Sequence, residues 1–208
     1  MSSPSNENFA IRLANLADSA AILEIYAPYV RDTTLTFVST VPTVEEIAAK
    51  MQSIQKRYPY LVCTCNDQVI GFAYANEVRA PDAYRWNAEL SIYLDQNFHQ
   101  RGLATALYTA LFQILRAQGF VNLYAVITIP NDPSIALHRH FGFSEIGVHQ
   151  ATGYKLGAWR DVLWMHHRIE NAADPAVHGL PIAPAQLKKN DLDNALNLAN
   201  AFLKGVGR

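Results

Sequence analysis

The chain has 208 residues and a mass of 23.2 kDa, half of it hydrophobic and 17% charged, which suits one folded domain with an ample core and excludes a disordered or fibrous protein. Its formal net charge is -1, and it lacks the dense Lys/Arg run that draws nucleic acid or an anionic membrane, so neither is expected as a partner. Met1 to Phe9 has neither the basic start nor the apolar stretch of a secretory signal, and no apolar run is long enough to span a bilayer, so the expected location is cytoplasmic.

Phe9 to Leu13 alternates as a short strand, and Asp18-Ser19 offers a cap for a helix with Ile22, Ile25, Tyr26 and Tyr29 at helical spacing. Thr43-Val-Glu-Glu46 fits a capping box, followed by the stripe Ile47, Met51, Ile54 and Tyr58, so a second helix is expected to end before Pro59. Tyr60 to Cys65 and Val69 to Ala75 flank Asn66-Asp67-Gln68, which is turn chemistry for a hairpin. Cys63 and Cys65 alternate on that first strand and so share a face, as reduced core thiols would.

After a polar loop, Ala88 to Leu94 alternates again, with Leu90, Ile92 and Leu94 expected on a core face and Glu89, Ser91 and Tyr93 on a wet one. Leu103, Leu107, Ala110, Leu111, Ile114 and Leu115 mark an amphipathic helix stopped by Gly119. Leu123 to Ile129 reads as a strand covered on both faces, and Asp132 as the cap of a helix with Pro133 at its first position, running to Phe141. Phe143 to His149 and Tyr154 to Arg168 read as two further strands. This order predicts an α/β fold, a mixed central sheet with helices on both faces, over residues 1–170. Residues 171–184 carry three prolines and read as a linker, and 187–204 as a helix with Leu192, Ala195, Leu196, Ala199, Phe202 and Leu203 along one side.

The segment richest in chemistry is Phe98-His-Gln-Arg-Gly-Leu-Ala104, between a strand and a helix. Such a turn can aim free backbone N–H groups and the positive end of a helix dipole at a phosphate, and glycine permits the close approach. By itself the pattern also fits an ordinary strand-to-helix turn. Glu89 by position alone is either a solvated strand residue or a proton acceptor, and His138 either a helix-surface histidine or a titrating group. His166-His167 is too short a cluster to argue for a metal.

The runs Arg57 to Val62, Gly71 to Ala75, Ala83-Tyr84, Glu89 with Tyr93, His99 to Ala104, Leu107-Tyr108, Asn131 to Ser134, His138, Gly142-Phe143, Gly153 to Lys155 and Gly157 to Asp161 occur in one order over residues 9–168. In these the chain resembles the GNAT acetyltransferases, and within them the phosphinothricin and methionine sulfoximine branch. Three positions depart from the pattern: His99 stands where the family has Gln or Arg, Asn87 where relatives usually have Thr, and Pro81 where many carry a second Arg.

The resemblance implies an N-acetyltransferase that moves acetyl from acetyl-CoA to the amine of a small amino-acid-like molecule. It implies Glu89 as general base and His138 as the proton donor to the leaving thiolate. Ile92, Tyr93, Leu94, His99, Gln100, Arg101, Gly102, Leu103, Ala104, Thr105, Asn131 and Ser134 are implied as the acetyl-CoA site, with a backbone N–H of the Glu89 strand stabilising the oxyanion. Phe37, Arg79, Tyr84, Tyr154 and Lys155 are implied as the substrate shell, with Arg79 or Lys155 for an acceptor carboxylate, and a homodimer is implied as the assembly. Another amine acceptor, or an acetyl-CoA sensor without turnover, stay open as alternatives.

Overall fold

The computed structural model describes residues 7–170, 174, 177 and 179–204. Much of the segment expected to be a linker (171–173, 175–176 and 178), together with 1–6, lies outside the described residues.

In chain order the elements are β1 (Phe9–Leu13), α1 (Ser19–Asp32), α2 (Val44–Gln55), β2 (Tyr60–Cys65), β3 (Gln68–Asn76), β4 (Asn87–Leu94), α3 (Leu103–Gln118), β5 (Asn122–Ile129), α4 (Asp132–His140), β6 (Ser144–Lys155), β7 (Ala158–Arg168) and α5 (Lys189–Leu203). The strands form one sheet in the order β1-β2-β3-β4-β5-β7-β6, antiparallel except for the central β4–β5 pair. The helix α3 is the crossover that such a parallel pair requires.

Local chemistry sets most boundaries. The Thr43 hydroxyl accepts from Glu46 N at 3.2 Å while the Glu46 carboxylate accepts from Thr43 N at 2.8 Å, closing the capping box that starts α2. Asn66 and Asp67 both have positive φ, which makes a two-residue turn with the twist a hairpin needs and leaves Gln68 in β3. The same device acts at Leu156-Gly157, with φ of 50° and 78°. It joins Lys155 to Ala158, so Tyr154 and Lys155 end β6 instead of opening the last strand.

Two expected caps are corrected. The Asp18 carboxylate does not cap α1; it accepts from Arg12 at 2.7 and 2.8 Å and from Asn15 N at 2.8 Å. Asn131, not Asp132, caps α4, its side-chain oxygen accepting from Ser134 N at 3.3 Å.

The β4 face expected to be wet is largely covered. Phe72, Tyr74, Glu89, Ser91 and Tyr93 share it by register, and the Tyr93 ring lies 4.9 Å from Tyr26, 5.2 Å from Tyr29 and 5.2 Å from Phe72. The helices α1 and α2 therefore bury part of the Glu89 face, as centroid separations in this range are usual for packed aromatics. Around α3, the buried stripe of Leu103, Leu107, Leu111, Ile114 and Leu115 packs toward β2 and β3, and Phe112 meets Phe141 at 4.9 Å to tie α4 alongside.

Along the β1 edge lies α5, which buries Ala195, Ala199 and Leu203 against α3 and β1. Phe202, expected on the packed side, is exposed. Asn200 accepts from Ile11 N at 2.7 Å and donates to Ile11 O at 3.1 Å, so its amide satisfies both backbone groups of that edge residue as a neighbouring strand would. The tail is pinned further by Gln118, whose side-chain amide donates to Ile182 O at 2.6 Å while its backbone carbonyl accepts from Ile182 N at 2.9 Å.

Candidate active site

The strands β4 and β5 pair only where Asn87–Glu89 meets Asn122–Tyr124, whereas β3 holds β4 as far as Leu94. Among the described residues the other edge of β4 has no partner strand from Leu90 onward, so a gap opens in the sheet and alternate backbone N–H groups of β4 turn toward it. A cleft of about 790 Å³ occupies the gap. Its walls include Glu89, Lys50 and Tyr74 together with the 99–105 turn, and it also reaches Tyr108 and His138.

The phosphate-type turn is built as an anion site. Gln100 and Gly102 both take the left-handed conformation, φ 61° and 70°. Gly102 is the N-cap of α3 and supplies no capping side chain, so the first N–H groups of the helix keep no acceptor of their own and the helix dipole adds positive potential. This fits a pyrophosphate, and Gln100, Gly102, Ala104 and Thr105 all line the cleft there. Leu103 lines it too while its side chain is buried in the core, so its contribution is backbone. Ile92, Tyr93 and Leu94 form the wall along β4, Tyr93 with its ring packed into the aromatic cluster.

His99 and Arg101 send their side chains elsewhere. Tyr29 donates to Leu94 O at 2.6 Å, so the His99 Nε2, 3.0 Å from the Tyr29 oxygen and 3.3 Å from Leu94 O, is the donor to both. His99 thus braces the end of β4 against α1, which accounts for a residue other than Gln or Arg there. Arg101 lies 2.9 Å from Glu7 and over the Phe98 ring.

Glu89 is half-buried in the cleft wall. Burial raises its carboxyl above the usual range, and the Lys50 ammonium offsets part of that rise. Lys50, from α2, donates to the Tyr74 hydroxyl at 3.1 Å and sits 5.1 Å from the centre of its ring.

His138 is buried, 3% exposed. Its Nδ1 lies 2.8 Å from the Ser134 carbonyl, which can only accept, so Nδ1 carries the proton and Nε2 accepts from the Tyr108 hydroxyl at 3.0 Å. Burial lowers the His138 pKa, with the Ser134 carbonyl opposing, and burial raises that of Tyr108. The resting pair is therefore a neutral imidazole and a neutral phenol, with the one imidazole proton engaged by the Ser134 carbonyl.

Of the implied substrate shell, Phe37 alone lines the cleft. Arg79 is exposed and lies 5.8 Å from the centre of the Tyr84 ring, in the loop before β4 and outside the cleft wall. Tyr154 is 63% exposed against Trp159. Lys155 is buried behind the wall, donating to Thr36 O at 2.7 Å, with its pKa pulled down by burial. A side chain on Gly153 would overlap the Phe37 ring, so Gly153 and Lys155 together seat the Thr36-Phe37 segment. Asn131 and Ser134 line the cleft, Asn131 with its oxygen engaged in the α4 cap.

Sequence reasoning passed over Lys50, Tyr74 and Tyr108. Tyr108 did leave a signal, since a hydroxyl on the buried stripe of α3 must find a partner. Lys50 flanks the buried positions Ile47 and Met51, and nothing in its local pattern sets it apart from a solvated helix residue.

Residues 11–164 match the family model of the acetyltransferase (GNAT) domain. A phosphinothricin N-acetyltransferase of Streptomyces viridochromogenes is 38% identical over 173 residues, covering 83% of this chain and 94% of that one. An L-methionine sulfoximine/L-methionine sulfone acetyltransferase of Pseudomonas aeruginosa is 32% identical, covering 77% and 95%. The solved structure of a phosphinothricin acetyltransferase from Sinorhizobium meliloti in complex with AcCoA superposes with a TM-score of 0.79 at 35% identity, over 86% of this chain and 98% of that one. With the split sheet, the uncapped helix start and a match of this extent, the chain belongs to the GNAT acetyltransferases and is an N-acetyltransferase that takes acetyl-CoA as acyl donor.

Proposed function

We propose that the enzyme acetylates the α-amine of a small amino-acid-like acceptor of the phosphinothricin or methionine sulfoximine type. The observation that carries this reading is that Glu89 and the 99–105 turn stand in the walls of one cleft, a proton acceptor and an anion cradle joined by the bare edge of β4. The names of the relatives support the acceptor class.

An ammonium cannot attack a thioester, so Glu89 first takes a proton from the acceptor, directly or through water. The amine nitrogen then bonds to the thioester carbon, and the β4 N–H groups beyond Glu89 stabilise the oxyanion. As the carbon–sulfur bond breaks, the Tyr108 hydroxyl turns from His138 Nε2 and gives its proton to the departing sulfur; the proton held by Glu89 returns to Tyr108 through water, and the nitrogen then loses its second proton to Glu89, which passes it to solvent. His138 Nε2 holds the Tyr108 hydroxyl in place at the cleft between turnovers. The α3 N-terminus and Gly102 hold the pyrophosphate throughout, with Asn131 and Ser134 along the pantetheine arm. Thiol release measured over a panel of amines tests the reading: turnover of methionine sulfone or methionine sulfoximine is expected, and turnover confined to polyamines, aminoglycosides or peptide N-termini overturns the acceptor class.

The proposed assembly is a homodimer in the cytoplasm. Unlike β1, where Asn200 occupies the backbone groups of Ile11, the opposite edge strand β6 is exposed along nearly its whole length. Ile146, Val148, Tyr154 and the adjoining Trp159 are exposed at 45 to 63%, more apolar side chain than an isolated sheet edge usually leaves bare. Light scattering is expected to give twice the chain mass at micromolar concentration; a monomer there overturns the dimer. Among the described residues no helix is long and apolar enough to cross a membrane.

A further inference from the structure

We propose that Lys50 is the residue that binds the acceptor's carboxylate, in place of the Arg79 or Lys155 that the family pattern suggests. The assignment rests on the amino-acid-like acceptor proposed above. An α-amino acid carries its amine and carboxylate on one carbon, so the base for the amine and the cation for the carboxylate must stand side by side. By register Tyr74 faces Ser91 and Asn76 faces Glu89, which puts Tyr74 and Glu89 on the same face of neighbouring strands, one pleat apart. The Tyr74 hydroxyl holds the Lys50 ammonium at 3.1 Å, and both residues line the cleft with Glu89.

The remaining cations are spoken for. Among the described residues the only other Lys or Arg lining the cleft is Arg101, paired with Glu7 at the phosphate turn. Lys155 donates to Thr36 O, and Arg79 lies in the loop outside the wall. An ammonium has three donors, and among the described residues Lys50 gives one, to Tyr74. Against the opposing pull of burial, Tyr74 foremost, then Tyr26 and Glu89, favour the charged ammonium.

The test compares methionine sulfone with its carboxamide in wild type, Lys50→Met and Lys50→Arg, each at saturating acetyl-CoA. Wild type is expected to prefer the acid, and Lys50→Met to reduce the acid-over-amide ratio of kcat/KM by about 10- to 100-fold, the range of a charge-assisted hydrogen bond. Lys50→Arg is expected to restore part of the ratio. A ratio unchanged by Lys50→Met, or acid and amide falling in parallel, overturns the role of Lys50 while leaving the acceptor class intact. If wild type acetylates neither compound but does acetylate other amines, the acceptor class itself is wrong and the Lys50 assignment falls with it.

Discussion

The Tyr108 hydroxyl stands 3.0 Å from His138 Nε2, and because Nδ1 donates to the Ser134 carbonyl at 2.8 Å, Nε2 of the neutral ring accepts from that hydroxyl. With Tyr108 as the proposed donor to the leaving sulfur, Tyr108→Phe is expected to lower kcat by about 10²-fold, within the usual range of general-acid contributions. The same change orphans a buried acceptor, which costs about 1–3 kcal/mol of stability. Steady-state kinetics beside a thermal melt separates the two effects. A lower Tm with kcat retained would make the hydroxyl a packing partner only.

His138 is expected to be neutral, with the proton on Nδ1, at pH 7. Its folded pKa lies below the ordinary histidine value, so the unfolded chain binds the extra proton first. Its contribution to stability is complete above pH of about 6.5 and declines as pH falls through the window down to the folded pKa. His166 is shifted in the same direction, so imidazole nitrogen NMR with His138→Gln as the assignment control is the deciding measurement. An Nε2–H signal for neutral His138 would contradict the hydrogen-bond assignment.

Glu89→Gln keeps the shape of the side chain and removes the proton acceptor, so kcat should drop by about 10²-fold or more with acetyl-CoA affinity retained. In the wild type the carboxyl is raised by burial, so activity should fall on acidification at a pH above the ordinary carboxylate range. Lys50 works against that rise, and Lys50→Met should move the acid limb further up. A pH profile of kcat/KM measures both, and an acid limb indifferent to Lys50 would separate the two groups electrostatically.

Gly102 holds φ at 70° where the N–H groups of α3 face the cleft. A β-branched side chain is disfavoured in that conformation and blocks the approach of a phosphate. Gly102→Val is expected to weaken acetyl-CoA binding by at least about tenfold, within the cost of one or two lost backbone contacts. Titration calorimetry reads this directly, and unchanged affinity would move the pyrophosphate away from the turn.

Features written locally were legible in the sequence. The Thr43 and Glu46 box, the αL turns at Asn66-Asp67 and the stripe from Leu103 to Leu115 each arise from residues within a few positions of one another. The cap of α4 was misplaced by one residue because Asn131 and Asp132 are both good capping types and only backbone geometry chooses between them. What could not be read was direction. Arg79, Lys155 and Lys50 are all cations, yet one stacks on Tyr84, one is buried under Thr36 and one enters the cleft. That sorting depends on how α2 docks over β3, a long-range packing outcome that leaves no periodic trace. Tyr93 was likewise assigned to water because alternation shows which residues share a face, but not what covers it.

The Asn200 amide that grips both backbone groups of Ile11 behaves as a one-residue substitute for an eighth strand. Its consequence reaches beyond the fold of a single molecule. A sheet margin with open donors and acceptors is a template for any extended segment that drifts past, including the same margin of another copy. By occupying that template with a helix-borne side chain, the tail acts as a stopper against edge-to-edge polymerisation. Chains cut after residue 170 should therefore keep their catalytic cleft and lose colloidal behaviour first, growing turbid on storage while the freshly made enzyme still turns over.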